Sequence, residues 1–204
     1  MRTPGWAEIA IGLAAVAGIL ANWVSGTLTG ENGGVLGAGL HLFGYFTIWT
    51  NTLVAVLYLA HARGGFARGA ATTFTAMVGL VYHFQLAHLD VIDTSWRAVG
   101  NALVHYIVPA AVALDWLAFG PRAGLRWRWA ATWLAFPFAY TVFAVGLGTL
   151  RGSYAYPFLD LGTLGPAGLL REVLVLIVAF LLFGLLVIGV RKLFDRRPTA
   201  LGAS

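Results

Sequence analysis

HLFGYFTIWTNTLVAVLYL, residues 41–59, is long and apolar enough to cross a bilayer, yet its first half carries Thr47, Thr50, Asn51 and Thr52 together. About 20 residues at ~1.5 Å rise span ~30 Å of hydrocarbon, so the run reads as a transmembrane helix. A helix facing only lipid has no use for four hydrogen-bonding side chains so close together. Polar groups at that depth usually face the interior of a bundle. The stretch therefore predicts two things at once: an all-α integral membrane fold, and a polar pocket inside it.

The rest of the chain agrees. Its 204 residues are 59% hydrophobic and 10% charged, with mean hydropathy +0.80, which excludes an ordinary soluble domain. Lipid-exposed loops are not tolerated at membrane depth, so the expected architecture is a helix bundle. Six spans are predicted in a single domain over 1–204, at roughly 6–28, 40–60, 70–89, 98–119, 129–149 and 169–191. The first is expected to be a retained span, since its apolar run is too long for a typical signal-peptide core. No internal repeat is visible, so an inverted-repeat transporter has no support. The absence of cysteine excludes disulfides, thiolate zinc sites and cysteine nucleophiles. The net charge of +5 and pI near 10.0 do not imply nucleic acid, because membrane topology explains where the basic residues lie.

Lys and Arg set the expected orientation. Arg2, Arg63, Arg68, Arg122, Arg126, Arg128, Arg191, Lys192, Arg196 and Arg197 fall at the termini and in the 61–69 and 120–128 loops. The other loops hold only Arg97, Arg151 and Arg171. Ten against three puts both termini in the cytoplasm of a multi-pass cell-membrane protein. Glu31, Asp90, Asp93, Asp160 and Glu172 lean outward.

Orientation converts into depth. The second and fourth spans descend from outside, placing Thr47 and His105 each ~10 Å below the outer surface. The first, third and fifth spans bring Asn22, His83 and Tyr140 to nearly the same level. The inner half offers little comparable apart from Asp115, which is expected to pair with Arg122 or Arg126.

Within this slab, Thr47 and Asn51 share a helix face with Thr50 beside it. Asn101 and His105 share another, and Pro109 deprives the His105 carbonyl of its helical partner, predicting a kink. His105 is suited to titrate and to act as a base. The competing readings are structural: threonines bonded back to their own helix, and Asn51 and His105 holding neighbouring helices. His83 and His88 are five apart, a poor spacing for metal ligands. With His41, Asp90, Asp93 and Asp160 they form no recognised ligand pattern, so neither metal nor cofactor is expected. Tyr154, Tyr156, Pro157 and Phe158 form an aromatic outer loop able to cap a pocket.

Three motifs carry a family resemblance: FTIWTN at 46–51, NALVHYIVP at 101–109 and YAYPFLD at 154–160. In order and spacing the chain resembles the androgen-induced gene and ADTRP family of multi-span threonine hydrolases, especially its bacterial six-span members. The resemblance implies hydrolysis of fatty acid esters of hydroxy fatty acids or similar lipid esters. By motif position it implies Thr47 as nucleophile and His105 as base. Where eukaryotic members carry an acid in the second span, this chain has Thr50, and its spacing from His105 to the following proline is one residue shorter. Expected support comes from Asn51 or Asn101 as oxyanion donors, from Thr50, His83, Tyr140, Asn22 and Tyr156 around the pocket, and from Asp160 as orienter of the histidine. The expected partners are membrane lipids and a lipid ester; nothing in the sequence sets an oligomeric state. Two other functions compete: a non-catalytic lipid-binding or small-solute transport protein, and a heme or metal protein using His83 and His105.

Overall fold

The computed structural model describes residues 3–30, 33–121 and 123–195. Arg2, Glu31, Arg122, Arg196 and Arg197, used above for orientation and pairing, lie outside the described residues. The described chain is all-α, with no strand. Four helical segments are long and apolar enough to cross a membrane, or five if one bent pair is counted as a single span.

The first is α1, Gly5–Thr29, closed by Gly30 in the left-handed conformation (φ 68°). Its buried face reads Glu8, Gly12, Ala15, Gly18, Ala21, Ser25. Small residues at helical spacing let neighbouring backbones approach closely. A Cβ at Gly18 would lie 2.6 Å from Val104.

The predicted second span is not one helix. It is broken into α2, Gly34–Leu42, and α3, Phe46–Leu59, at an angle of 87°. The three linking residues leave carbonyls without helical partners, and side chains supply them. Tyr140 donates to the Gly44 carbonyl (2.7 Å) and Trp49 Nε1 to that of Phe43 (2.8 Å). Val35, Leu36, Leu40 and Phe43 are all exposed along α2, the side-chain character of a helix lying flat in an apolar interface.

The predicted third span is α4, Gly65–Val81, which runs on into a π-helical turn at Tyr82–Leu86. It is the central helix. Every residue from Arg68 to Thr75 is buried, and it packs against α3, α6 and α9. A helix ringed by protein has no lipid to satisfy, which is why it tolerates Thr72, Thr73 and Thr75. Each of these hydroxyls bonds back to the carbonyl four residues earlier.

The predicted fourth span, Ser95–Phe119, comprises α5, Ser95–Ala102, a π-helical turn at Leu103–Ile107, and α6, Val108–Phe119. Thr94 caps α5, its hydroxyl accepting from the Arg97 N–H (3.0 Å). The fifth comprises α7, Arg128–Trp133, and α8, Ala135–Arg151. A 3₁₀ turn at Pro157–Leu159 leads into α9, Leu161–Asp195, kinked at Gly165 (φ 65°). Arg191 ties α9 to the end of α6 through the Leu117 carbonyl (2.8 Å) and the Gly120 carbonyl (2.9 Å).

The far end of the bundle overturns an expectation. Arg68 is not a loop residue; α4 starts early enough to carry it inside, 5% exposed. It bonds Glu8, itself fully buried, and Asp115 (3.1 Å). Asp115 also accepts from Tyr58 (2.8 Å) and Thr3 (2.7 Å), and His61 Nδ1 meets Glu8 at 2.5 Å. Asp115 therefore pairs with Arg68, not with Arg126. Glu8 joins it in making this half far more polar than the sequence suggested. Between this network and the Thr47 level lies a cluster of apolar side chains: Ala15, Val54, Ala71, Val108 and Val112, each at most 1% exposed.

Candidate active site at the broken helix

The break before Phe46 gives Thr47 its chemistry. It makes Thr47 a first-turn residue of α3, where backbone N–H groups point outward and the helix dipole favours negative charge. The Phe46 N–H donates to the Tyr156 hydroxyl (3.1 Å), and the Thr47 hydroxyl and backbone N–H also bear on that oxygen. Burial pushes the Tyr156 hydroxyl up to about 12, so it stays protonated and able to donate across the neutral range.

His105 comes from the opposite wall. Its Nε2 stands 3.2 Å from Thr47 Oγ1. The imidazole lies within the π-helical turn, a local widening that is frequent at functional sites. Pro109 lacks the N–H that the His105 carbonyl would otherwise receive, and Gly79 of α4 packs directly on that carbonyl. A Cβ at 79 would lie 2.9 Å from the oxygen. The expected irregularity at Pro109 is thus a π turn. On its other side the ring stacks on Tyr82, centroids 3.8 Å apart and planes at 11°. Tyr82 is held by Asp90, to which its hydroxyl donates (2.9 Å). Asn101 bonds both Asp90 and the Tyr82 hydroxyl (3.3 Å). Nδ1 of His105 is buried, and the Asn101 backbone one turn earlier bears on the ring.

The remaining expected residues divide. Asn51 donates through Nδ2 to the Thr47 carbonyl (2.8 Å) and the Val104 carbonyl (3.3 Å), fastening α3 to the π turn. Asn101 is likewise engaged with Asp90 and Tyr82. Neither amide aims a donor at the Thr47 hydroxyl; the hydroxyl beside it is that of Tyr156. Thr50 bonds back to the Thr47 carbonyl (3.0 Å), as its structural reading required. Asn22 donates to the Gly18 carbonyl (2.9 Å) and lines the cavity described below.

Two expected residues are elsewhere. His83 is exposed and meets the Tyr106 hydroxyl (3.3 Å), one residue round the helix from Tyr82, which takes the place expected of it. Asp160 caps α9, accepting from the Thr163 N–H (3.1 Å) and hydroxyl (2.7 Å). Those bonds, the hydroxyl's foremost, hold its carboxyl below the usual carboxylate range. It does not orient His105. Sequence reasoning missed Tyr82 and gave Asp90 no role at the histidine. The available signal was the buried face of α4, where Ala71, Phe74, Val78 and Tyr82 follow at helical spacing.

Two hollows meet at Thr47. A cavity of ≈ 330 Å³ extends under α2 toward the loop bearing Asp90, lined by Asn22, His41, Tyr45, Arg97, Asn101 and His105 among others. A smaller cleft of ≈ 70 Å³ lies between α4, α8 and α9, walled by Met77, Val81, Phe138, Tyr140, Val173 and Ile177. Thr47, Tyr82 and Tyr156 border both. Among the described residues, no three His, Asp or Glu side chains gather where they could hold a metal ion.

The pairing of a first-turn hydroxyl with a buried imidazole can generate an alkoxide-like nucleophile beside preorganised donors. Compared with family models, curated proteins and solved structures, the chain matches none.

Proposed function

We propose that this protein is an intramembrane hydrolase of lipid esters, with Thr47 as nucleophile and His105 as general base. The observation that carries the reading is the Thr47 Oγ1 to His105 Nε2 approach at 3.2 Å. It occurs at the junction of a polar cavity and an apolar cleft. Resemblance to the androgen-induced gene and ADTRP hydrolases assigns the same two residues.

Thr47 Oγ1 attacks the ester carbonyl while Nε2 takes its proton. The developing oxyanion is met by the Tyr156 hydroxyl, which the Phe46 N–H holds in place, and by the positive end of the α3 dipole. Collapse breaks the bond to the alcohol, which leaves with the proton from Nε2. Water then gives a proton to Nε2 and attacks the acyl-threonine, and Thr47 regains its proton as the fatty acid departs. In place of a carboxylate, Tyr82 stacking and the tie from Asn51 to Val104 fix the imidazole.

The membrane setting is part of the proposal. Residues 65–86 reach ~33 Å at helical rise, so α4 with its π turn completes six crossings. Both termini then lie in the cytoplasm of the cell membrane, and Thr47 lies in the outer half. A transport protein is disfavoured by the apolar cluster of Ala15, Val54, Ala71, Val108 and Val112 below the cavity. A lipid-binding protein without catalysis remains the second reading, and it predicts binding without turnover.

The test is ester hydrolysis by detergent-purified wild type, Thr47→Ser, Thr47→Ala and His105→Ala, with a fluorophosphonate probe in parallel. Turnover and labelling in wild type and Thr47→Ser, lost in both alanine variants of intact fold, is the expected result. Full activity in either alanine variant refutes the assignment.

A further inference from the structure

The two hollows meeting at Thr47 differ in chemistry, and an ester has two halves to place. The cleft between α4, α8 and α9 is walled by Met77, Val81, Val173 and Ile177, and its edge residue Phe138 is 56% exposed on the flank of the bundle. An acyl chain sliding in from lipid meets mostly apolar surface there until it reaches Thr47, the Thr141 and Tyr140 hydroxyls being bonded to the Pro137 and Gly44 carbonyls. The larger cavity is the opposite. Asn22, His41, Tyr45, Asp90 and Asn101 bring amide, imidazole, phenol and carboxylate groups to its walls.

The charges around that cavity are also informative. Arg97 is paired, its Nε 2.9 Å from Asp93 and its Nη1 4.0 Å from Asp90. Among the described residues two carboxylates thus face one guanidinium, with no surplus of positive charge there for a carboxylate or phosphate. An alcohol half bearing an acid group would enter against that balance. A wholly apolar one would strip water from the polar walls and replace it with nothing.

Resting on the ester-hydrolase reading, we propose that the substrate is a fatty acyl ester of a neutral, hydroxyl-rich alcohol, glycerol-like or sugar-like. The carbonyl end of the acyl chain occupies the cleft, with the rest of the chain trailing past Phe138 into lipid, and the alcohol occupies the cavity beneath α2. The alcohol hydroxyls donate to the Asp90 carboxylate and exchange bonds with Asn22, Asn101 and Tyr45. Once His105 has protonated it, the free alcohol leaves through the polar side. Water takes its place against the acyl-threonine, and the fatty acid leaves by the cleft.

The experiment compares three oleoyl esters with purified wild type: mono-oleoylglycerol, the oleoyl ester of a hydroxystearic acid, and oleyl oleate. A site built around hydroxyl partners rejects analogues that lack them. The expected kcat/KM for mono-oleoylglycerol is at least about tenfold above either of the others. Asn22→Leu is expected to raise KM for the glyceride without changing kcat. Ala38→Trp, filling the cavity from α2, is expected to erase the preference. Val173→Trp, narrowing the cleft, is expected to shift acyl preference from oleoyl to butyryl while leaving the glycerol preference in place. Equal or faster hydrolysis of the hydroxystearate ester overturns the polyol assignment and leaves ester hydrolysis standing. If no ester is turned over, the hydrolase reading falls, and binding decides the pocket separately. Stronger thermal stabilisation by a non-hydrolysable oleyl glycerol ether than by oleyl alcohol supports a polyol site, and equal stabilisation overturns it.

Discussion

Gly79→Ala tests whether the site depends on the position of the π turn or only on the identities of Thr47 and His105. The new Cβ would lie 2.9 Å from the His105 carbonyl oxygen, and ordinary contact begins at 3.4 Å. The difference, 3.4 − 2.9, means about 0.5 Å must be found between α4 and the π turn. Neither side is a flexible side-chain end; both contacts are backbone or Pro109. If the shift falls along the Thr47 to His105 vector, 3.2 Å becomes about 3.7 Å, outside hydrogen-bond range. A misplacement of ~1 Å can cost ~10²-fold in rate, so about tenfold in kcat is expected. Overpacking should cost about 1–3 kcal/mol of stability. The assay is kcat and KM on monodisperse protein with wild-type helicity, beside Gly146→Ala. No side chain or backbone lies within 4 Å of a Cβ at 146, so that variant should match wild type. Unchanged kcat in Gly79→Ala would refute the claim that π-turn placement sets the geometry.

Tyr156→Phe removes the proposed oxyanion donor and should lower kcat roughly 10²-fold with little effect on KM; a change in KM alone would reduce Tyr156 to a pocket wall. Arg68→Met strands Glu8 and Asp115 without their guanidinium and should cost about 3–5 kcal/mol, read as a lower melting temperature. Wild-type stability would show that the network is dispensable. Asp160→Asn should leave kcat untouched and flatten the acid limb of the stability curve. The folded carboxyl is held below its ordinary value, so its contribution is full above that value and vanishes as pH falls through the folded one. A pH-dependent melting curve identical to wild type would contradict this.

What the sequence made legible follows from what depth can and cannot encode. Counting residues from span ends places Thr47, His105 and Asn22 at one level, helix spacing puts Asn101 on the face of His105, and all four line one cavity. Azimuth was less secure. His83 and Tyr82 are at the same depth but about 100° apart around the helix, and only the buried face of α4 separates them. The break at Phe43–Tyr45 was hidden because its carbonyls are satisfied from a distance, by Tyr140 nearly a hundred residues away. Hydropathy reads straight across such a break. It also undervalued α4, whose threonines and Arg68 look unfit for lipid because they never meet it. Glu8 was overlooked for a related reason: a lone acid in an alanine-rich run has no visible partner until α4 delivers one.

The valine and alanine layer between Thr47 and the Glu8–Arg68 network has a consequence for energy conservation in a living cell. On the proposed function and topology, a site that admits water ~10 Å into the membrane threatens to become a proton leak. Each elementary charge that crosses dissipates ~2.3 kcal/mol per 100 mV of membrane potential. Val54, Val108 and Val112, all fully buried, offer a proton no oxygen or nitrogen to hop to. The hydroxyls that α4 brings beside this layer, Thr72 and Thr75, donate to their own helix's carbonyls and are not left free to relay a proton. On the proposed topology, replacing one of these valines by aspartate would be a small change that puts a proton-holding group into the layer.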